Sequence, residues 1–147
     1  MLSKTGEHAL RAMVFLAQQQ GEEPVSGPRM AEELSIPQRY LSAILGDLVR
    51  GGVLTSVRGK GGGFSLVRRP DQIRLAEVLG PFEPVLHANR SPCPFGNPVC
   101  NDDDPCAGHD RWKPIKVAYA EFLHNTSLED VSQEKKRRRA KRRGRAK

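Results

Sequence analysis

The strongest constraint on the fold of this chain is a helix that opens at Pro37, directly after a tight turn at residues 35–36. Proline is tolerated at a helix start because the N–H that it lacks would have no partner there. A shorter helical pattern begins near Pro28, before the turn, and Gly51–Gly52 ends the Pro37 helix. Its buried face is predicted from apolar residues at helical spacing: Tyr40, Leu41, Ile44, Leu45, Leu48 and Val49. Two short helices joined by a tight turn are the helix-turn-helix pattern.

A β-hairpin pattern follows this helix pair. Residues 53–57 and 64–67 have the composition of strands, and a glycine-rich loop, residues 58–63, joins them. The glycines allow a close backbone approach to DNA, and Arg58 and Lys60 reach phosphates or the minor groove. A nucleotide-phosphate cradle is excluded, because the loop leads into a strand and contains no GK[ST] motif. The hairpin therefore predicts the wing of a winged helix-turn-helix.

Two further helical patterns flank this unit. Residues 4–19 form an amphipathic helix, and a later helix carries an apolar stripe at 3-4-3 spacing. The stripe either packs on its own domain or faces a second copy of the chain. Pro114 is tolerable only near the first turn of that helix, and Thr126 with Glu129 predicts a capping box that opens a last helix at 128–133. The stripe consists of Trp112, Ile115, Tyr119 and Phe122. The expected fold class is mainly α with a small β-hairpin wing.

Six side chains are the candidates for DNA contact. A recognition helix presents its N-terminal side chains to base edges in the major groove. Arg39 suits guanine and Gln38 suits adenine, and the alternative is that Arg39 contacts only phosphate. The candidates are Gln38, Arg39, Tyr40 and Ser42 on the helix and Arg58 and Lys60 on the wing.

All three cysteines lie in one stretch, residues 91–109, which is too rich in Pro, Gly, Asn and Asp for regular structure. Cys93, Cys100 and Cys106 are spaced C-x6-C-x5-C, and His109 follows after two more residues. An odd number of cysteines argues against a disulfide framework. Buried structural cysteines are usually isolated within helices or strands, whereas thiolates clustered in a loop are typical of metal ligands. The stretch therefore predicts a metal centre.

Two kinds of centre fit three cysteines and one histidine. Structural zinc binds such a set in closed tetrahedral geometry. The same donors also suit an iron–sulfur cluster with one ligand that is not cysteine. Zinc ligands usually come in tight pairs such as C-x2-C. The wider x6 and x5 gaps of this chain slightly favour a cluster, and zinc stays an alternative. Residues 102–104, three aspartates, are expected to form a solvated turn, because hard oxygen ligands are disfavoured beside soft sulfurs.

The net charge of +7 is unevenly distributed along the chain. The tail, residues 135–147, holds ten Lys or Arg and no acid, and the remainder has 14 basic and 17 acidic residues. Residues 1–70 carry a net +3, which suits phosphate contact, and residues 71–134 a net −6. The tail is predicted to be disordered because its like charges repel. It serves either as a solubilising segment or as a non-specific contact to nucleic acid.

The sequence also argues against several protein classes. It has no apolar run of membrane-spanning length and no signal-peptide pattern, so a cytoplasmic protein without membrane contact is expected. Its four histidines are scattered and no nucleophile–base pair stands out, so an enzyme is not expected.

The sequence resembles the IscR/NsrR family of bacterial regulators over residues 1 to about 133. The resemblance is carried by LSKTGEHALRAM, IPQRYLSAILGDLVRGGVLTSVRGKGGGFSL, IRLAEVL and CAGHDRW, with the three cysteines. It implies a winged helix-turn-helix plus a long dimerisation helix, in a homodimer that binds a double-stranded DNA operator. It also implies transcription control, usually repression, with an iron–sulfur cluster that senses redox, nitric oxide or iron–sulfur status.

The resemblance also assigns ligands. Cys93, Cys100 and Cys106 match the family's cluster ligands, and His109 matches the histidine that completes a [2Fe–2S] site in one branch. Glu7 falls where another branch has an acidic ligand, donated by the partner subunit to a [4Fe–4S] cluster. A [2Fe–2S] cluster with His109 is favoured and a [4Fe–4S] cluster stays open. The alternatives are a zinc-stabilised DNA-binding regulator without sensing and a non-specific nucleic-acid-binding protein.

The expected organisation has four parts. The winged helix-turn-helix domain spans residues 1–82, and the cysteine-containing cluster loop spans residues 83–110. The dimerisation helix and a short C-terminal helix occupy residues 111–133, and the basic tail occupies residues 134–147.

Overall fold

The structure, a computed structural model, describes residues 2–19, 23–87 and 93–133. The predicted tail, residues 134–147, lies outside the described residues. Residues 128–133 are helical, and short 3-10 turns occupy Pro70–Gln72 and Pro84–Leu86. The main elements are α1 (Lys4–Gln18), α2 (Gly27–Leu34), α3 (Gln38–Arg50), β1 (Leu54–Val57), β2 (Gly63–Leu66), α4 (Leu75–Leu79) and α5 (His109–Asn125). The expected class, mainly α with a small β-hairpin, is confirmed.

Local capping sets the starts of the first helices. The Ser3 side chain accepts a hydrogen bond from the Gly6 N–H at the start of α1, and Ser26 caps α2 in the same way. α2 ends at Ser35, which adopts the left-handed conformation with φ 53°. Pro37 is the N-cap of α3 rather than its first residue, so the helix starts one residue later than predicted. This turn fixes the angle between α2 and α3.

One hydrophobic core unites both ends of the chain. Its fully buried members come from α1 to α4, β1, the segment just before α4, the end of α5 and the last helical residues. Because the chain after residue 120 contributes to it, the end of α5 packs on the winged helix. The largest fully buried side chains of the core are Met13, Met30, Leu41, Ile44, Leu45, Leu48, Leu54, Ile73, Leu75, Leu79, Leu123 and Leu128.

The wing is an antiparallel hairpin with Leu54 opposite Leu66 and Val57 opposite Gly63. Two main-chain hydrogen bonds join β2 to the segment before α2. The Val25 N–H donates to the Phe64 carbonyl at 3.0 Å, and the Phe64 N–H donates to the Val25 carbonyl at 2.9 Å. A Cβ at Gly63 would overlap the carbonyl carbon and oxygen of Val25. Only glycine therefore allows the wing to lie this close to the helices.

The segment after α5 pairs with the segment before α4. The Leu75 N–H donates to the Thr126 carbonyl at 3.0 Å, and the Leu128 N–H donates to the Ile73 carbonyl at 2.8 Å. An isolated bridge between Arg74 and Ser127 lies between these two bonds. The main chain thus closes the region from residue 75 to residue 126 at its base.

The last helical residues open with a capping box, one residue later than the predicted Thr126–Glu129 pair. The Asp130 carboxylate accepts from the Ser127 N–H and O–H at 2.8 and 2.7 Å, and the Asp130 N–H donates to Ser127 Oγ at 3.2 Å. The hydrogen bonds from Ser127 lower the pKa of Asp130.

α5 differs from its sequence interpretation in two respects. Pro114 lies in its second turn, so the Asp110 carbonyl has no N–H donor at the usual position four residues on. The predicted apolar stripe is divided: Trp112 and Tyr119 are half-buried, whereas Ile115 and Phe122 face solvent. No helix of the described residues combines the length and the apolar character that a bilayer crossing requires.

Three large apolar side chains of α5 are exposed. Ile115 is 53% exposed, Phe122 is 52% exposed and Val117 is 47% exposed. Ile115 and Phe122 are seven residues apart and therefore lie on one side of the helix. This face has no apolar cover within the described residues of one chain.

Candidate DNA-binding surface and metal centre

The predicted recognition helix, α3, presents its first turn to solvent. Gln38, Arg39 and Ser42 are exposed, while Leu41 and Ile44 are buried. The Ser42 hydroxyl donates to the Gln38 carbonyl at 2.8 Å, so its oxygen keeps acceptor capacity for a base or a phosphate. The structure thus places these polar side chains on a single exposed surface.

Tyr40, on α3, is 37% exposed and also contacts α1. Its hydroxyl lies 2.7 Å from Thr5 Oγ1, and its ring meets the His8 ring edge to face with centroids 5.6 Å apart. Tyr40 therefore links α3 to α1 through one side-chain hydrogen bond and one ring contact.

The wing loop carries its two cations at the surface. Arg58 and Lys60 are exposed, and Gly59 and Gly61, with φ 94° and 77°, form the turn that separates them. Within the described part of the chain, Arg39, Arg58 and Lys60 have no carboxylate partner. Their charges are available to an anionic partner such as DNA.

Two of the three thiols of the candidate metal centre, those of Cys93 and Cys106, form a close pair. Cys93 Sγ lies 3.3 Å from Cys106 Sγ, and Cys93 is buried. Burial alone raises the pKa of Cys93, but main-chain hydrogen bonds from Phe95, Asn97 and Gly96 and the contact with Cys106 outweigh burial and lower it. The pKa of Cys106 is raised mainly by its hydrogen-bonded contact with Cys93, and also by burial and by charge repulsion from Cys93 and Cys100. Cys93 is thus the more readily ionised of the two.

Cys100 and His109 form a second, buried pair. Cys100 Sγ lies 4.0 Å from His109 Nδ1, and His109 is the first residue of α5. The other ring nitrogen, Nε2, lies 2.8 Å from Asp102 Oδ1, and Lys113 donates to both Asp102 oxygens at 2.7 and 2.8 Å. Hydrogen bonds from Lys113 and His109 lower the pKa of Asp102. Asp102 is exposed in a bend, as the sequence predicts, but its carboxylate also contacts two side chains of α5.

The four donors form two pairs rather than a cage around one point. Within the described residues, no group of three or more His, Cys, Asp or Glu side chains is arranged to hold a single metal ion. A structural zinc ion requires all four donors at about 2.0–2.3 Å from one centre. Each iron of a [2Fe–2S] cluster takes two protein ligands, so paired soft donors fit the larger group.

Glu7, the alternative ligand, lies on α1 and is half-exposed. Its carboxylate accepts a hydrogen bond from Lys4 at 3.0 Å, which together with the Lys4 charge lowers the pKa of Glu7. None of the described contacts joins Glu7 to a cysteine of the same chain.

One buried carboxylate, that of Glu83, is not indicated by any sequence pattern. Glu83, 4% exposed, accepts hydrogen bonds from the Ser3 N–H at 2.7 Å and the Ser3 hydroxyl at 2.8 Å. It joins the start of α1 to the chain that leads into the cysteine segment. No local signal identifies this pair, because its members are 80 residues apart.

The comparisons with known proteins agree with this architecture. The sequence model of the Rrf2 family, described as an iron-dependent transcriptional regulator, matches residues 2–134. The chain is 33% identical over 130 residues to IscR, an HTH-type transcriptional regulator of Sodalis glossinidius; the match covers 88% of this chain and 77% of IscR.

Solved structures of regulators superimpose closely. CymR, the global cysteine regulator of B. subtilis, has a TM-score of 0.73 at 28% identity, covering 91% of this chain and 97% of CymR. IscR of T. potens has a TM-score of 0.71 at 27% identity, covering 91% and 87%. The relatives are transcriptional regulators and not enzymes, as expected. With its winged helix and a match over nearly all of its described residues, this chain belongs to the Rrf2 family of transcriptional regulators.

Proposed function

We propose that this chain is a homodimeric, sequence-specific repressor whose operator affinity is set by an iron–sulfur cluster at Cys93, Cys100, Cys106 and His109. The observation that carries the proposal is the arrangement of these donors in two pairs. Two pairs match the two irons of a [2Fe–2S] cluster. Such a regulator acts in the cytoplasm on double-stranded DNA.

The distances within the pairs support this assignment. Two thiolates bound at about 2.3 Å to one tetrahedral metal lie about 3.8 Å apart. The Sγ atoms of Cys93 and Cys106 are 3.3 Å apart, and Cys100 Sγ is 4.0 Å from His109 Nδ1. Each pair of donor atoms therefore needs only a small change in separation to bind one metal.

The chain's own contacts suggest how the centre influences DNA binding. When bound, the cluster supplies a redox-active centre whose assembly depends on iron and sulfide. Binding by four donors would order residues 93–109, and Glu83, ten residues before Cys93, accepts a hydrogen bond from Ser3, the N-cap of α1. α1 in turn contacts Tyr40 of the recognition helix through Thr5. Release of the donors therefore alters the position of α3 through α1, and with it the spacing of the two recognition helices in the dimer.

Purification without oxygen tests the proposal. The protein is expected to be coloured and to contain about two irons and two sulfides per chain. A colourless protein with one zinc per chain would instead identify a zinc-stabilised regulator without sensing.

A thiol switch without a metal is a second candidate, favoured by the 3.3 Å separation of Cys93 and Cys106 and the lowered pKa of Cys93. Oxidation by a peroxide would join the two sulfurs in a disulfide, release two protons and two electrons, and reduce the peroxide to water. Iron-free protein that loses two titratable thiols on peroxide treatment, and regains them with dithiothreitol, would favour this candidate.

Arg39→Ala is expected to weaken operator binding by about 10- to 100-fold, because a bidentate base contact contributes about 1–3 kcal/mol of discrimination. The measurement is fluorescence anisotropy on duplexes that the wild-type protein selects from a random library. Arg50→Ala, an exposed arginine at the far end of α3, is the matched control and should bind normally.

A scrambled duplex distinguishes the two roles of Arg39. If Arg39 contacts only phosphate, Arg39→Ala will weaken binding to operator and to scrambled DNA equally and will reduce the salt slope by about one.

Truncation of the chain after Glu134 measures the contribution of the basic tail to DNA binding. A sequence-specific regulator keeps its operator preference without the tail, whereas a non-specific nucleic-acid binder loses its DNA affinity.

Phe122→Asp is expected to dissociate the proposed dimer. Phe122 is 52% exposed on the apolar face of α5, which a second copy would cover. In a two-fold interface the change acts twice, and each buried Phe contributes about 1.5–3 kcal/mol, so the dissociation constant should rise by about two to four orders of magnitude. Sedimentation velocity measures this, with Glu121→Gln as the control. A Phe122→Asp protein that remains dimeric would place the interface elsewhere.

A further inference from the structure

We infer that Asp102 is the positioning residue of the metal centre: it holds His109 in the tautomer that carries hydrogen on Nε2, which leaves Nδ1 as the ligand atom beside Cys100. The inference rests on the proposed function, because it concerns the ligand set of the same centre. It adds a residue that the cysteine spacing did not indicate.

Asp102 bridges the cysteine segment and α5. It lies two residues after Cys100, whereas His109 and Lys113 are four residues apart and thus on one side of α5. One carboxylate oxygen is 2.8 Å from His109 Nε2 and 2.7 Å from Lys113 Nζ, and the other is 2.8 Å from Nζ. The carboxylate is therefore held at a defined position by Lys113 while it contacts the imidazole ring.

The chemistry of this contact determines the tautomer. A neutral imidazole has one nitrogen that donates and one that accepts, and an ionised carboxylate only accepts. Nε2 facing Asp102 must therefore carry the hydrogen, and in the neutral ring that binds a metal the lone pair lies on Nδ1, 4.0 Å from Cys100 Sγ. A metal-binding histidine typically donates its other N–H to a carboxylate, which orients the ring and makes it a stronger ligand.

The difference in burial shows which partner depends on the bond. The His109 side chain is 8% exposed, whereas Asp102 is 67% exposed and Lys113 is 51% exposed. Water can solvate the Asp102 carboxylate if the bond breaks, but the buried Nε2–H has no second acceptor among the described residues. The bond therefore serves the orientation of the histidine more than the solvation of the aspartate.

The first test uses metal-free, reduced protein and does not depend on any cluster. Long-range ¹⁵N–¹H correlation spectra report the tautomer of each imidazole, and the missing signal in His109→Gln assigns His109. The wild-type protein is expected to show hydrogen on Nε2. Asp102→Ala should lose this preference, and Asp102→Asn should keep it because the amide oxygen still accepts.

Two control variants separate positioning from simple anchoring of the loop. Asp103→Ala removes the adjacent exposed carboxylate, which has no described contact with His109, and should leave the tautomer unchanged. Lys113→Ala should affect the tautomer less than Asp102→Ala does. A wild-type His109 with hydrogen on Nδ1, an unaltered tautomer in Asp102→Ala, or equal effects of Lys113→Ala and Asp102→Ala would each overturn the inference.

The second test measures retention of the reconstituted centre in the presence of a chelator. Loss of such a supporting carboxylate typically lowers metal affinity by about 10- to 100-fold, so Asp102→Ala should release iron faster by a similar factor. Asp102→Asn and Asp103→Ala should stay near the wild type, and faster release from Asp103→Ala would overturn the assignment to Asp102. If wild-type protein takes up no iron at all, the proposed function fails, whereas the metal-free spectra still decide the role of Asp102.

Discussion

Cys100→Ala is expected to abolish cluster binding, with iron and sulfide falling to background and the visible absorption lost. Cys100 is buried and is one of the four proposed donors, and alanine has no atom that can replace the thiolate. In operator binding, the variant should behave like wild-type protein from which the metal has been removed. Asn101→Ala, at the adjacent position, is the control. Wild-type iron content in Cys100→Ala would exclude Cys100 from the ligand set.

The fourth ligand is decided by a parallel pair of variants. His109→Ala is expected to destabilise the centre, whereas Glu7→Gln should leave it intact, because Glu7 is occupied by Lys4. Loss of the centre in Glu7→Gln alone would instead favour a [4Fe–4S] cluster with an acidic ligand from the partner subunit.

Gly63→Ala is expected to lower the free energy of unfolding by about 1–3 kcal/mol or more, since overpacking at a well-packed site has an effect of this size. The new methyl group would overlap the Val25 carbonyl, so the two hydrogen bonds between Val25 and Phe64 must lengthen or break. Operator affinity should fall as well, because the wing then shifts relative to α3. Urea denaturation and anisotropy measure the two effects.

Gly61→Ala is the matched control for this prediction. Gly61 also has a positive φ, 77°, but a Cβ there would meet no atom within 4 Å. Its substitution should therefore cost only the backbone strain, about 1 kcal/mol. Equal destabilisation by the two substitutions would show that the contact with Val25 is not what restricts position 63 to glycine.

The winged helix could be predicted closely from local patterns. Helical periodicity and the prolines and glycines at element ends located α1 to α3 and the hairpin to within about one or two residues, which is the usual uncertainty of such boundaries. α4, only five residues long, was not recognised because so short a segment shows little periodicity. Two pairs have the spacing of a capping box, Thr126 with Glu129 and Ser127 with Asp130, and the sequence alone favours the first. The choice of Ser127 depends on backbone pairing with residues 73–75, which a local pattern does not contain.

The candidate metal centre was predictable in its donors and not in their arrangement. Spacing identified the three cysteines and His109, but the pairing of Cys93 with Cys106 depends on how the loop folds back. Asp102 looked like one of three equivalent acidic residues, and only the position of α5 distinguishes it from Asp103. These contacts are set by tertiary structure, so residue type and spacing alone do not reveal them.

The pairing of residues 73–75 with residues 126–128 has a thermodynamic consequence for the centre. It makes the intervening region a loop with both ends tethered, so the metal-free chain is already confined before any ligand binds. The conformational entropy lost when the donors converge is that of a closed loop, and this loss grows only with the logarithm of loop length. Insertions within the loop should therefore weaken the centre only gradually, and changes beyond residue 133, outside the tether, should leave its affinity for metal unaltered.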